Sequence, residues 1–350
     1  MAETSLIFDR LRFEVAQRLR LAWYSGHYLA ARRYAAAMRP AKADTGKRSG
    51  NPLPARAPLM AALKELQARD WRNIESGVYR LPSDLFRNPF ELLDLSVRFF
   101  RDLPRTQKRR ATGSINEIAT TERRGRYPTY YLQNFHHQTD GYLSEDSARL
   151  YDFQVETLFT GMAEPMRRQA LVPLHHLEGK DQRRVRLLDV ACGTGGFLRA
   201  VKDNYPRLPV TGVDLSPDYL KEARRRLAGS TGVDLHEANA ESLPFADGVF
   251  DVVTCLYLFH ELPPAVRRTV AGEMARVLRE GGRLILVETL QLCDRPEFDA
   301  LLGAFPSGFH EPYYASYIAE DLKELFAPHG LDPVEDTLAF LSKVSVYERR

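Results

Sequence analysis

The segment VRLLDVACGTGGFL (185–198) combines an apolar run, an acidic residue and a glycine-rich turn. Asp189 ends the apolar run, and Gly193, Gly195 and Gly196 follow it. Glycine accepts positive φ and lets the backbone approach a ligand closely, and open α/β sheets bind ligands at the carboxyl ends of their strands. Position 198 is Leu, where the GxGxxG/A turn of dinucleotide sites requires Gly or Ala. The turn therefore predicts a ligand site that disfavours a nicotinamide dinucleotide.

An acidic residue also ends the next apolar segment. In VTGVDLS (210–216), Asp214 follows Gly193 by 21 residues. An acidic residue at about this offset accepts hydrogen bonds from ribose hydroxyls in nucleotide-binding sheets. The alternative is that Asp214 caps the helix that begins near Pro217. The glycine-rich turn favours the ribose-binding role.

A third segment, EANAESLPFADGVFDVV (237–253), places a polar turn after a short strand and an acidic turn before an apolar run. Together with the two earlier segments and the later VLREGGRLILVE (277–288), it resembles the class I S-adenosylmethionine (SAM)-dependent methyltransferases. The resemblance is strongest to the small-molecule group around the ubiquinone and menaquinone C-methyltransferases, and it covers roughly residues 180–290. It implies a methyl transfer reaction with SAM as cofactor and S-adenosylhomocysteine as product.

The resemblance also implies which residues contact SAM. Asp189 and the backbone that follows it would hold the methionine part, and Asp214 would bind the ribose. Where this chain has Asn239 the family more often has Asp, but an amide carbonyl can accept the same hydrogen bond from adenine. The implied contact residues are Asp189, Ala191, Gly193, Gly195, Asp214, Leu215, Asn239, Ala240, Glu241, Cys255 and Leu256.

Methyl transfer requires little covalent chemistry from the protein, because alignment of the activated methyl group with a nucleophile supplies much of the acceleration. A base is needed only where the acceptor is a hydroxyl, an acidic carbon or a protonated amine. The candidate base is His260, with Glu261 beside it, in LYLFHEL after the fourth strand. Tyr131 and His136 are further catalytic candidates.

Two segments rich in polar and aromatic residues are predicted to bind the acceptor. YPTYYLQNFHHQTDGYL (127–143) can fold over the cofactor as a lid, and FPSGFHEPYYASY (305–317) lies where members of the family commonly insert substrate-binding elements. The alternative is that these aromatic residues pack a helical cap on the core. The candidate acceptor contacts are Asn134, His137, His310, Glu311 and Tyr314.

A metal site is not predicted. The pairs His136–His137, His260–Glu261 and His310–Glu311 could converge on an ion. None of them has the i, i+4 spacing that places two ligands on one helix face. The three cysteines show no CxxC spacing, which excludes the common zinc modules.

Alternating patterns define the elements that position these residues. A long helix over 144–171 is predicted to precede strands at 185–190, 209–213, 232–236, 250–257 and 282–288. Strands that alternate with helices predict a parallel sheet, and two final strands in 331–350 are too close together to pair other than antiparallel. The predicted fold is α/β, a Rossmann-like seven-stranded mostly parallel sheet with a terminal antiparallel hairpin, preceded by a largely helical N-terminal region.

The predicted organisation has two parts. Residues 1–130 form a basic, mainly helical region with a flexible linker near 40–57, and residues 131–350 form the SAM-binding domain with a lid (131–180) and a substrate insertion (290–320). The first part contains 25 Lys/Arg and 13 Asp/Glu, a net charge of +12, against −9 for the second. Its basic run 105–110 is predicted to lie in a loop.

The first helix, predicted over 5–39, carries an apolar stripe made of Phe8, Leu11, Val15, Leu19 and Ala22. The stripe is expected to pack inward, as in most soluble chains. The alternative is a basic amphipathic helix that lies on a membrane surface.

The sequence as a whole favours methylation of a small, hydrophobic or aromatic acceptor, with peripheral membrane contact through the basic region as an option. A nucleic-acid methyltransferase would use that region to bind phosphates, but CLYLFHELPPA lacks the polar-Pro-Pro-aromatic turn of amino-methylating DNA enzymes, so nucleic acid is not the favoured partner. A SAM-binding scaffold without transfer is the third hypothesis. No apolar run reaches about 18 residues, and a cytoplasmic setting is expected.

Overall fold

A seven-stranded sheet forms the centre of the computed structural model, which describes residues 2–37, 56–83, 85–177 and 179–350. The strands are β1 Leu187–Val190, β2 Val210–Asp214, β3 Val233–Glu237, β4 Phe250–Leu256, β5 Leu278–Thr289, β6 Leu331–Ala339 and β7 Ser342–Arg349. Their order across the sheet is β3-β2-β1-β4-β5-β7-β6. The first five are parallel, whereas β7 is antiparallel to both β5 and β6. The predicted mostly parallel sheet with a terminal hairpin is confirmed.

Helices connect the parallel strands and precede the sheet. They are α1 Ala2–Ala37, α2 Arg56–Glu75, α3 Pro89–Thr112, α4 Thr121–Arg124, α5 Glu145–Leu158, α6 Ala163–Arg168, α7 Gly196–Asn204, α8 Pro217–Arg226, α9 Pro264–Val277, α10 Asp299–Gly308, α11 Tyr314–Ile318 and α12 Leu322–Phe326. The crossovers are α7, α8 and α9. Local sequence defines their starts: α8 has Pro217 in its first turn, and the Ser216 hydroxyl accepts a hydrogen bond from the backbone N–H of Tyr219 at 3.2 Å.

The strand order reverses at β1, which creates the crevice where such sheets bind ligands. β1 lies between β2 and β4, with Val190 opposite both Val213 and Cys255. The loops that follow these three strands therefore leave the same edge of the sheet. The residues that the sequence singled out after each strand are brought together by this register.

The continuous helix predicted over 144–171 is wrong. α5 ends at Leu158, and the chain then turns through Thr160 (φ 52°) and Gly161 (φ 87°) before α6 begins. A Cβ on Gly161 would lie 3.2 Å from the carbonyl oxygen of Arg20. Glycine therefore lets the turn pass directly against α1, so that α5 packs on α1 and α3 while α6 packs on α2.

The loop predicted for the basic run 105–110 is also wrong, because α3 continues to Thr112 and ends at Gly113 in the left-handed conformation. The run is not a uniformly solvated face. Arg109 is buried, and its guanidinium donates to Glu117 (2.6 Å) and to the carbonyl oxygen of His137 (3.2 Å). This side chain connects α3 to the 127–143 segment.

The apolar stripe of α1 faces outward, contrary to expectation. Phe8, Leu11 and Leu19 are 61%, 58% and 59% exposed. The helix has a second apolar face, on which Phe13 packs against Trp71 and Tyr24 against Phe153, with ring centroids 5.4 Å apart in each pair. Aromatic contacts with α2 and α5 therefore determine which face is buried. The predicted linker near 40–57 lies outside the described residues, apart from 56–57, with which α2 begins.

Candidate active site

The glycine-rich turn leaves β1 through Ala191, Gly193 and Gly195, all with positive φ (57°, 54° and 75°). A Cβ on Gly195 would lie 3.1 Å from the Cβ of Ala223. Glycine at 195 therefore allows α7 to begin in close contact with α8. A Cβ on Gly193 would meet no atom within 4 Å, so this position leaves space at the sheet edge.

Asp214, at the end of β2, accepts two backbone hydrogen bonds. Its carboxylate oxygens are 2.8 Å from the N–H nitrogen of Gly193 and 2.8 Å from that of Ser216. Burial raises the pKa of Asp214 to about 6 in spite of these donors. The sequence left open that Asp214 caps α8, but the N-cap of α8 is Ser216. Asp214 instead joins the end of β2 to the glycine-rich turn.

Asp189 is buried within β1. It accepts a hydrogen bond from the Thr254 hydroxyl at 2.7 Å, and burial raises its pKa to about 7. The side chain is therefore partly protonated near neutral pH.

A cavity of about 110 Å³, here called the sheet-edge cavity, lies among the loops that follow β1 to β4. Seven of the predicted cofactor contacts line this cavity: Ala191, Gly193, Asp214, Leu215, Asn239, Ala240 and Leu256. The predicted contacts outside this lining are Asp189, Gly195, Glu241 and Cys255. Glu241 instead accepts a hydrogen bond from the Tyr130 hydroxyl at 2.7 Å, and Cys255 is completely buried in the core.

Tyrosines form much of the remaining wall of the sheet-edge cavity. The sequence singled out Tyr131, but the cavity is also lined by Tyr130, Tyr142, Tyr151, Tyr219 and Tyr257. Burial raises the pKa of Tyr131 and Tyr142 well above 10. Both phenols are therefore neutral and can donate a hydrogen bond but not accept a proton. The density of tyrosine in 127–143 was the only signal for this wall, since Tyr151, Tyr219 and Tyr257 lie in other elements.

A histidine and two glutamates meet beside these tyrosines; we call them the His136 cluster. Nε2 of His136 lies 2.9 Å from Oε1 of Glu311 and 3.6 Å from Oε1 of Glu261. The Tyr142 hydroxyl donates to the same Glu261 oxygen at 2.5 Å. Burial lowers the pKa of His136, but the two carboxylates outweigh this and raise it to about 10. His136 is thus an imidazolium at neutral pH rather than a base.

His260 is placed differently. Its Nδ1 lies 2.7 Å from Oε2 of Glu288, and the other oxygen of Glu288 accepts from the backbone N–H of Phe259 at 2.6 Å. Burial lowers the pKa of His260, and Glu288 outweighs this to raise it to about 9. His260 lines neither the sheet-edge cavity nor the second cavity described next. The structure therefore brings Tyr131, His136 and Glu261 to the cavities, but not His260.

A second cavity of about 290 Å³, here called the apolar cavity, lies among α1, α3, α5 and the end of α10. Its apolar wall includes Tyr28, Phe99, Val155, Leu158 and Phe309. Tyr151 lines both cavities, while His136 lines the apolar cavity and Glu261 the sheet-edge cavity. The His136 cluster therefore stands at the boundary between the two.

The remaining predicted acceptor contacts have mixed positions. His137 lines the apolar cavity, and burial lowers its pKa to about 4, so it is neutral. Asn134 holds the turn of 127–143 through the carbonyl oxygen of Gln138 (2.9 Å), and Nε2 of His310 lies 2.8 Å from Oε1 of Gln133. Tyr314 is buried beside Phe305. Asn134, His310, Glu311 and Tyr314 line neither cavity. The contact of His310 with Gln133 joins the two predicted segments.

Comparison with known proteins gives the family of the segment that contains strands β1 to β4. Residues 187–282 match a family model described as a methyltransferase domain. The chain is 41% identical over 104 residues to the ubiquinone/menaquinone biosynthesis C-methyltransferase UbiE of Desulfotalea psychrophila, a match that covers 30% of this chain and 41% of the relative. It is 35% identical over 158 residues to the demethylmenaquinone methyltransferase of Thermus thermophilus, covering 42% of this chain and 70% of the relative.

Among solved structures, an O-methyltransferase family protein from Burkholderia thailandensis superposes with a TM-score of 0.49 at 19% sequence identity. The superposition covers 73% of this chain and 71% of that one. The sequence matches reach two thirds of a relative's length for the demethylmenaquinone enzyme but not for the ubiquinone/menaquinone enzyme.

Proposed function

Because this chain belongs to the class I SAM-dependent methyltransferases, we propose that it methylates a small hydrophobic, aromatic acceptor bound in the apolar cavity. The observation that carries the proposal is the position of that cavity, which shares Tyr151 with the sheet-edge cavity and is otherwise divided from it by the His136 cluster. The names of the relatives indicate quinone precursors as the acceptor class.

The proposed cofactor site uses the sheet-edge cavity. Asp214 accepts hydrogen bonds from the ribose, Leu215 and Asn239 contact the adenine, and the backbone from Ala191 to Gly195 holds the methionine part. Bound SAM supplies an activated methyl group, so the protein needs to align the acceptor and exclude water. The buried tyrosines in the wall of the sheet-edge cavity exclude water.

For an acceptor that loses a proton, the proposed proton acceptor is Glu311. Burial raises the pKa of this carboxyl, but the adjacent His136 outweighs the effect and lowers it. Glu311 is therefore ionised at neutral pH, whereas Tyr131 and His136 are already protonated. Glu311 itself lines neither cavity, but unlike His260 it contacts His136, which lines the apolar cavity.

Peripheral contact with a membrane is a further part of the proposal. Large apolar side chains are exposed on α1 and also on α3, where Phe90 and Leu93 are 79% and 54% exposed. Arg10, Arg12 and Arg18 flank the stripe of α1, a combination typical of interfacial helices. Both helices also line the apolar cavity, so a lipophilic acceptor could pass from the membrane to the site. Within the described residues, no helix has the length and apolarity needed to cross a bilayer.

The test uses purified protein, methyl-labelled SAM and fractionated cell extract. We expect label in the organic-solvent fraction, no label with Asp214→Ala, and normal labelling with the control Glu237→Gln, which changes an exposed carboxylate at the end of β3. Label in RNA or DNA would instead favour a nucleic-acid methyltransferase. Binding of S-adenosylhomocysteine with no label in any fraction would favour a non-catalytic scaffold.

A further inference from the structure

We propose that the His136 cluster binds a divalent first-row transition cation, such as Mn²⁺ or Zn²⁺, and that the cation holds an oxygen atom of the acceptor. The second half of this inference rests on the proposed function, with one change: when the ion is bound, Glu311 is a ligand and does not act as the proton acceptor. The first half concerns only His136, Glu261 and Glu311.

The distances within the cluster fit a shared cation. One ligand atom from each of the three residues lies within 4.8 Å of the other two. Ligand bonds of about 2.0–2.2 Å place neighbouring ligand atoms roughly 3.0–3.5 Å apart. The separations of 2.9 Å and 3.6 Å from Nε2 of His136 match that range within a few tenths of an ångström.

Glu311 supplies a second, independent observation. Its side chain is fully buried (0% exposed), yet among the described residues Oε2 has no hydrogen-bond partner, and the partner of Oε1 is the His136 ring at 2.9 Å. Oε2 is therefore available to an ion beside His136. A buried polar atom without a partner indicates an ion or a water molecule at that place.

The charges of the cluster do not balance without a cation. Two carboxylates face one imidazole. Burial lowers the pKa of His310, which is neutral at neutral pH, so the histidines that can act on Glu311 as cations are His136 and His260. Of these, His260 is already paired with Glu288. Buried carboxylates are normally paired or coordinate a metal, and a divalent ion would compensate both glutamates.

The backbone holds the ligands where an ion could use them. His136 and His137 have consecutive left-handed φ values of 55° and 58°, a conformation that costs energy for residues other than glycine and is concentrated at functional sites. The N–H of His136 donates to the carbonyl oxygen of His310 at 3.2 Å, which brings Glu311 beside the ring. Three segments far apart in sequence are thereby joined at one point.

The donor set indicates the kind of ion and the kind of acceptor. Binding of an ion would displace the proton from Nε2 of His136. One imidazole nitrogen with two carboxylate oxygens then suits Mn²⁺, Fe²⁺ or Zn²⁺. Three protein ligands leave at least one coordination position open. Because the cluster lies between the two cavities, an open position would face the acceptor, and an acceptor with a hydroxyl or carbonyl oxygen is the class that could fill it.

The test is titration of the full-length, chelator-treated protein with Mn²⁺ and Zn²⁺ by calorimetry, with Mn²⁺ binding also followed by electron paramagnetic resonance. We expect one equivalent to bind, with affinity reduced at least about 100-fold in Glu311→Gln and in His136→Gln. The matched control is His176→Gln, since His176 is remote and contacts the Pro173 carbonyl; its metal affinity should equal that of the parent protein. Affinity for S-adenosylhomocysteine should stay within about twofold in all variants, which verifies that they fold.

Absence of stoichiometric binding by the parent protein would overturn the site, as would unchanged binding by both cluster variants. The two proposals fail separately. Methyl transfer that persists at full rate in the metal-free protein would leave the proposed function intact and contradict the role of the cation in holding the acceptor. Stoichiometric metal binding without any methyl transfer would support the site and contradict the function.

Discussion

The two cavities are built in different ways. The sheet-edge cavity is formed by loops that leave adjacent parallel strands, and its acidic residue Asp214 is held by backbone N–H groups. The apolar cavity is formed by helices from the first half of the chain and by the end of α10. Its polar boundary, the His136 cluster, is held by contacts between side chains together with one backbone hydrogen bond, from the N–H of His136 to the carbonyl oxygen of His310.

Because the two cavities are built differently, residue substitutions should affect them differently. Strand register positions the sheet-edge loops, so a change there displaces several contacts at once. Helix packing forms the apolar cavity, and single side chains such as Val155 or Phe309 determine its shape. Acceptor preference should therefore change by substitution without loss of cofactor binding, and the following predictions test that separation.

The largest expected effect is on cofactor affinity. Asp214→Ala should weaken S-adenosylhomocysteine binding at least about 100-fold, because two hydrogen bonds to a charged group contribute about 1.5–3 kcal/mol each. Calorimetry measures the effect, with Glu237→Gln as the matched control. A loss of less than about threefold would contradict the ribose role of Asp214.

The next largest effect is expected on the acceptor KM, from a substitution in the apolar cavity. Val155→Trp places an indole in a space of about 290 Å³ and should raise the acceptor KM at least about tenfold by excluding part of the acceptor. Affinity for S-adenosylhomocysteine should remain within about twofold. The control Val172→Trp lies outside both linings. Equal losses of cofactor and acceptor binding would show that the two cavities are not separable.

A smaller effect concerns stability and pH. Burial raises the folded-state pKa of Asp189 to about 7, so the folded protein binds this proton more tightly than the unfolded chain, and the associated stability is lost as pH rises from about 4 through about 7. Asp189→Asn removes the buried charge and should increase the free energy of unfolding at pH 8 by about 1–2 kcal/mol. Denaturant unfolding at pH 5 and pH 8 measures this. A gain that is equal at both pH values would exclude the carboxylate as its cause.

The smallest effect is expected at the α1 surface. The double substitution Leu11→Ser and Leu19→Ser should reduce binding to anionic vesicles about three- to tenfold, because each removes apolar surface that would enter the interface. The melting temperature should hardly change, since both side chains are more than half exposed. Val334→Ser, an exposed apolar residue on β6, is the control. Unchanged vesicle binding would contradict membrane contact through α1.

Signals that lie within a few residues of one another were sufficient to predict the fold and the strand-end loops of the sheet-edge cavity. The glycine-rich turn, Asp214 and the polar turn at Asn239 each follow a recognisable strand, and parallel pairing necessarily brings such strand ends to one edge. The antiparallel hairpin followed from the short connection between its strands. These elements can be predicted from short sequence segments, because strand alternation and glycine turns depend on residues that are close together in the chain.

Tertiary structure alone decided the apolar cavity and the His136 cluster at its boundary. The pairs His136–His137, His260–Glu261 and His310–Glu311 have no spacing that predicts a site, yet one member of each converges. The pairing of His260 with Glu288, the outward stripe of α1 and the break after α5 likewise depend on partners more than 20 residues away. Side-chain convergence of this kind is set by how helices pack on the sheet, and packing energies between distant elements leave no periodic pattern in the sequence.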